Sequence, residues 1–225
     1  MSINVLSAES HPLTALGIES LLRGCEGVNL VATVRQIGEL PEIVSTNNFN
    51  VVVTGREAAC EANGNAFRPL VKIILDDHPE VGVVLHSCIR NAAYVSTLAQ
   101  LGVHAILDKE DIIDFLPAAI SAAHAKASYI SPTLADSTAP NLRGGADAKP
   151  LSRCEVNVMK SVLAGLSVKE ISLTLFRSKQ TISTHKKNAM RKLQVNSDAE
   201  LFRVFSAPDF TLIEIGSACS SSWPS

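Results

Sequence analysis

The sequence predicts an α/β domain plus an all-α domain: a doubly wound, five-stranded parallel (βα)5 unit joined by a linker to four helices. Three observations carry this reading. Residues 1–130 alternate short β-branched runs with amphipathic stretches five times, as strands linked by right-handed helical crossovers do. From Ser131 to Pro150 the periodicity dissolves among Pro, Gly, Ser, Thr and Asn, the composition of a linker. Beyond it, three Ser-x-x-Glu sequences each open an apolar-periodic segment, and that pattern is a capping-box helix start.

In chain order the predicted strands are Asn4–Ser7, Val28–Val34, Asn50–Thr54, Val81–His86 and Val103–Leu107. Helices are predicted near Leu13–Arg23, Ile37–Ser45, Phe67–Asp77, Ala92–Leu101 and Asp111–Lys126. Val51-Val-Val53 and Val81-Gly-Val-Val-Leu85 are apolar almost throughout, as strands covered on both faces must be. The helical domain starts at Ser152-x-x-Glu155, restarts at Ser167-x-x-Glu170 and ends with a helix opened by Ser197-x-x-Glu200, with Gly165 stopping the first helix. The predicted divisions are therefore 1–130, a linker at 131–150, a helical domain at 151–206 and a loose tail at 207–225. No role is assigned to Phe210–Ile215.

Composition narrows the function. With 46% hydrophobic and 19% charged residues the chain reads as folded. No apolar run reaches the ~18 residues of a membrane span, and Met1-Ser-Ile-Asn-Val-Leu6 lacks the basic start of a secretion signal. Five scattered cysteines (Cys25, Cys60, Cys88, Cys154, Cys219) suit reduced thiols and a cytoplasmic location. No metal-ligand spacing, P-loop, Gly-x-Gly-x-x-Gly or nucleophile elbow is visible, so neither a metal, a cofactor nor an enzymatic activity is expected. Charge is unevenly divided. Residues 1–150 carry ten Lys/Arg against sixteen Asp/Glu, and residues 151–206 carry ten against four. Only the second part suits a polyanion.

Within that basic part, Ser167–Thr174, the turn Leu175–Ser178 and the helix Lys179–Leu193 have helix-turn-helix proportions. At 100° per residue, Ile182, Ala189 and Leu193 cluster within about 40° and form the packed face. Thr184, Lys187, Asn188 and Arg191 fall opposite, with Ser183 at the edge; Lys186 sits at the apolar margin and should snorkel outward. Hydrogen-bonding and cationic groups on one face are what base edges and phosphates require.

The stretch Leu151-Ser-Arg-x-Glu-Val…Leu-Ala-Gly-Leu-Ser-x-Lys-Glu-Ile-Ser…Ser-x-Gln-Thr-Ile-Ser-Thr-His-Lys-Lys-Asn-Ala-Met-Arg-Lys-Leu193 resembles the LuxR-type helix-turn-helix of NarL/FixJ response regulators, over some 55 residues. Within that family its Thr-Ile-Ser-x-x-Lys-Lys-x-Ala-Met pattern is most similar to the capsule-synthesis regulators. The resemblance implies that Ser183, Thr184 and Lys187 face the major groove of double-stranded DNA. It also implies that Lys179, Thr181, Asn188 and Arg191 touch phosphates, and that the helix Asp198–Phe205 is a dimer contact. RNA polymerase is a further partner to be expected of such a protein.

Residues 3–126 resemble the receiver domain of the same family, with decayed motifs. Receivers hold a Mg²⁺ on an acidic pair, transfer a phosphoryl group to an Asp, and steady its oxygens with a hydroxyl and a Lys. Here those positions are Glu9 and Ser10, Gly55, His86 and Lys109, so only one carboxylate and the lysine remain. A glycine cannot attack phosphorus. Glu57, Asp76 and Asp77 read as surface charge rather than substitutes. Lys109 is expected to pair with Glu9, because an ammonium buried alone is costly. The resemblance leaves two roles open: a phosphorylation-independent transcriptional regulator acting as a dimer, or an auxiliary protein that heterodimerises with a related response regulator and retunes it.

Overall fold

A computed structural model describes residues 2–35, 43, 48–55, 70–142 and 149–205. Its strands are β1 (Ile3–Ala8), β2 (Val28–Val34), β3 (Val51–Gly55), β4 (Gly82–Ser87), β5 (Ala105–Asp108) and β6 (Tyr129–Ile130). Around them lie α1 (Pro12–Arg23), α2 (Leu70–Asp77), α3 (Ala92–Gln100), α4 (Ile112–His124) and α5 (Pro132–Leu142). The helical domain contributes α6 (Arg153–Leu163), α7 (Val168–Thr174), α8 (Lys179–Lys192) and α9 (Asp198–Val204).

The sheet runs β2-β1-β3-β4-β5-β6, every pair parallel. Alternation along the strands feeds two cores. Val5, Val51, Val53, Val84 and Leu107 pack with Ile18 and Leu22 of α1 and Leu116 and Ile120 of α4. Leu6, Val52, Val83, Leu85 and Ile106 point the other way, to Ile74 of α2 and Ala93 and Leu98 of α3. Because the strand order reverses between β1 and β3, a crevice opens outside the carboxyl ends of β1, β3 and β4, the usual site position in such sheets.

Two expectations need correction. The described sheet has six strands, not five, because Tyr129 and Ile130 pair with Ala105 and Ile106. The linker at 131–150 also begins as structure: α5 buries Leu134 and Thr138. Thr133 donates from its amide and hydroxyl to Asp111 at 2.9 and 2.7 Å, and the Asp108 amide donates to the Ser131 hydroxyl at 2.9 Å. The Ser and Pro residues read as linker are here those of a helix start, where Pro is tolerated. With only Leu134 and Thr138, four residues apart, buried among its described side chains, α5 leaves little apolar periodicity in the sequence. The helix expected at Ile37–Ser45 lies outside the described residues except Ile43, as do Glu57, Cys60 and Phe210–Ile215.

The start signals of the helical domain act as expected at two sites. Ser152 with Glu155, and Ser167 with Glu170, are reciprocal capping boxes. At the third, Ser197 accepts from the Glu200 amide, but the Glu200 carboxylate takes the Asn196 amide at 2.8 Å instead of closing the box.

Candidate nucleic-acid interface and receiver pocket

In the crevice, Glu9 follows β1, Gly55 ends β3 and His86 stands in β4. Glu9 Oε2 lies 2.9 Å from His86 Nε2, with both side chains buried. Glu9 Oε1 accepts from the His11 amide at 3.0 Å. The His86 ring nitrogens and Glu9 Oε2 have no aligned hydrogen-bond partner, so the pair is a close contact between carboxylate and imidazole without hydrogen-bond geometry. Burial pushes the Glu9 carboxyl up, but contact with His86, the His11 amide and the charges of His86 and Lys109 outweigh it and hold the pKa below its ordinary value. The expected Lys109–Glu9 ion pair is therefore corrected: the two are not within 4.0 Å, Lys109 acts at longer range, and His86 is the partner of Glu9.

The pair packs directly against Gly55. A Cβ there would overlap Glu9 Oε2 and come 2.7 Å from His86 Cε1. The space an aspartate would need is filled by Glu9 and His86. The receiver's Mg²⁺ does not fit these residues: Gly55 and Ser10 offer no carboxylate, and the remaining one is engaged by an imidazole. Among the described residues no group of three potential ligands could hold a metal.

From His86 the β4–α3 connection runs to the helical domain. Arg90 forks onto Asp108, at 2.7 Å from Nε and 3.1 Å from Nη2, and reaches Glu110 at 2.6 Å. Asn91 caps α3 by accepting the Tyr94 amide at 3.0 Å, and donates to the Leu193 carbonyl at the end of α8 at 2.9 Å.

The helix α8 is opened by Ser178, whose hydroxyl accepts the Thr181 amide at 3.1 Å. Ile182, Ala189 and Leu193 are buried, as their spacing predicts. Lys179, Thr184, Lys187, Asn188 and Arg191 are exposed; Thr181 and Ser183 are half-buried. Thr184 donates to the Gln180 carbonyl at 2.9 Å, and the Thr181 and Ser178 hydroxyls are 2.9 Å apart. Lys186 does more than snorkel, since it pairs with Asp198 of α9 at 2.6 Å. Lys192 reaches Glu155 of α6 at 2.7 Å. These two lysines pin α8 to its neighbours, while Lys187 and Arg191 stand on the open face.

That face also includes residues the sequence reading missed. Gln194 and Asn196 line one groove with Lys187, Met190 and Arg191. Gln194 turns into the left-handed region at φ 54° just past the helix, where helical periodicity no longer reports direction.

The chain is similar to known proteins. Residues 149–205 match the family described as bacterial regulatory proteins, luxR family. The transcriptional regulatory protein RcsB of Escherichia coli strain K12 is 28% identical over 206 residues, covering 92% of this chain and 95% of RcsB. The transcriptional regulatory protein MctR of Rhizobium johnstonii is 26% identical over 212 residues, covering 89% of this chain and 92% of its own. A solved structure of two RcsB dimers bound to two parallel DNAs superposes with a TM-score of 0.65 at 26% identity, over 91% of this chain and 98% of that one.

Proposed function

For a chain that is a homologue of RcsB and carries a LuxR-family regulatory domain at residues 149–205, we propose a sequence-specific, dimeric DNA-binding transcriptional regulator that works without phosphorylation. The observation that carries the DNA-binding reading is the α8 face. Lys187, Asn188 and Arg191 project from a helix whose opposite side is locked to α6 and α9 by Lys192–Glu155 and Lys186–Asp198. Such a helix can enter a major groove without rearranging. In this reading Ser183, Thr184 and Lys187 meet base edges, while Lys179, Thr181, Asn188 and Arg191 meet phosphates.

Independence from phosphorylation is supported by the pocket. Gly55 supplies no nucleophile, and Glu9 and His86 occupy the space that a side chain at position 55 would enter. A dimer is supported on the receiver side, where Leu13 on α1 is 85% exposed and Ile113 on α4 is 70% exposed, together with Leu16. Contiguous exposed apolar side chains mark contact surfaces, and a dimer would cover these three.

The test is selection of bound duplexes from a random pool by the purified chain, with no phosphodonor present. Enrichment of a sequence with two half-sites about one helical turn apart supports the reading. Absence of enrichment by a folded protein overturns it and moves the chain to the role of a heterodimer partner, in which case enrichment should appear once a related regulator is added.

A further inference from the structure

Three contacts between the receiver-like part and the helical part start from α3, at positions three residues apart. The Asn91 side chain donates to the Leu193 carbonyl at 2.9 Å, the Tyr94 ring packs on Phe205 at 5.9 Å, and the Thr97 hydroxyl accepts the Leu151 amide at 3.0 Å. Residues at this spacing follow one side of a helix. Their partners lie at the end of α8, just past α9 and just ahead of α6. Three separate points fix the orientation of one body on another, and Asn91 supplies the point on the DNA-reading helix.

Asn91 holds two helices with one amide group. Its Oδ1 accepts the Tyr94 amide at 3.0 Å and caps α3, while its Nδ2 takes the carbonyl of the residue that ends α8. The closure of α8 leaves that carbonyl for it. Gln194, at φ 54°, donates to the Arg191 carbonyl at 3.1 Å, and the Val195 amide donates to the Met190 carbonyl at 3.0 Å. This left-handed closure satisfies carbonyls of the last turn, and Asn91 serves the next one along. The negative C-terminal end of α8 thereby meets the positive N-terminal end of α3. The clasp has leverage over DNA reading. Ser183, Thr184 and Lys187 stand six to ten residues before Leu193, ~9–15 Å away along the helix axis. A tilt of about 10° at the clasp would move them by ~2–3 Å, comparable with the ~3.4 Å between base pairs.

We propose that Asn91 is a positioning residue for DNA reading: by clasping the end of α8 to the start of α3, it fixes the half-site spacing that a dimer accepts. In a dimer joined through its receiver-like parts, each α8 keeps a set distance from the twofold axis only if its own receiver holds it. Freed of the clasp, each helix still reads its half-site but tolerates separations that differ by a base pair. This inference rests on the dimeric regulator reading.

The test uses the full chain and two variants, Asn91→Asp and Asn91→Ser. Both replacements can accept the Tyr94 amide and so keep the cap of α3. Neither can donate to the Leu193 carbonyl: the carboxylate has no N–H, and the serine hydroxyl is too short to serve both ends. Agreement between them excludes an effect of the added charge. Affinity is measured for the selected duplex, for duplexes with the half-site separation shortened or lengthened by one base pair, and for a single half-site. Amide hydrogen exchange is followed by NMR without DNA. The unaltered chain should prefer the selected separation by at least ~10-fold and both variants by under about threefold, with single half-site affinity within about twofold. Exchange at the Gln194 and Val195 amides should quicken in both variants while the Tyr94 amide stays protected. A spacing preference that survives in both variants overturns the proposal and assigns the spacing to contact between the helical domains themselves. Weakened binding to the single half-site overturns it too, because Asn91 then supports the shape of α8 rather than its placement. Unchanged exchange at Gln194 and Val195 removes the clasp. Since exchange needs no DNA, a clasp seen there with no duplex selected would overturn the regulator reading and, with it, this role for Asn91.

Discussion

At the scale of single residues, the two sites make opposite demands. On α8, Lys187 is exposed and unencumbered by the ion pairs that hold Lys186 and Lys192. Lys187→Ala should lower affinity for the selected operator by about 1–3 kcal/mol if the ammonium reads a base edge. Fluorescence anisotropy at fixed salt checks this, and an unchanged affinity removes Lys187 from the interface. In the receiver crevice the residue that matters is the one with no side chain. Gly55→Asp should not restore an acyl phosphate, because the new carboxylate would enter the space of Glu9 and His86. It should instead cost about 1–3 kcal/mol by overpacking and like-charge burial. Urea unfolding reads the loss, and mass spectrometry after acetyl phosphate treatment reads the modification; a phosphorylated variant of undiminished stability would contradict both parts. Glu9 also predicts a pH dependence. Its folded pKa lies below its ordinary value, so its stabilising contribution is present above about pH 4.5 and disappears as pH falls through the folded pKa. The stability difference between the unaltered chain and Glu9→Gln should therefore shrink on acidification through that window. A gap that does not shrink at all as the pH is lowered from 4.5 would show that the carboxylate is not the source.

Helices and strands show where the sequence reports structure and where it stops. The Ser152 and Ser167 caps are legible because a capping box is local: donor, acceptor and spacing all lie within four residues. Ser152→Ala should accordingly cost about 1 kcal/mol, visible as a lowered urea midpoint, because the Glu155 amide then lacks its acceptor. The apolar face of α8 was equally readable from its 3.6-residue period. The partner of Glu9 was not, since His86 lies on another strand and only the sheet brings the two within 2.9 Å. The same holds for β6, two residues long and defined only by pairing with β5, and for α5, whose anchors Asp108 and Asp111 are some twenty residues distant in sequence. What the sequence reports well is short-range chemistry; what it withholds is which distant side chains share a pocket.

For the whole molecule, the sequence suggests two domains on a tether, but the structure shows them in contact. The Tyr94 and Phe205 rings pack at 5.9 Å, the Leu151 amide donates to the buried Thr97 hydroxyl at 3.0 Å, and Asn91 holds the carbonyl of Leu193. One apolar core runs from Leu85 and Leu98 in the receiver-like part to Met159, Leu201 and Phe205 in the helical part. This docking uses the end of α8 and the buried side of α9, leaving the face of Lys187 and Arg191 open. In the proposed reading, this arrangement would position the DNA-reading helix against the receiver-like part without a phosphoryl switch. It also couples the two parts thermodynamically, because neither can unfold without exposing the shared core. The unaltered chain should therefore unfold in a single calorimetric transition. Phe205→Ala removes a fully buried ring, which costs about 3–5 kcal/mol in a core that cannot collapse around the gap. Since that ring spans the junction, the loss should fall on the coupling as well as on total stability. Calorimetry of Phe205→Ala should then resolve two transitions, with the helical part melting first. Two transitions already present in the unaltered chain would show that the domains are independent in solution, and that the open DNA-reading face owes nothing to the receiver.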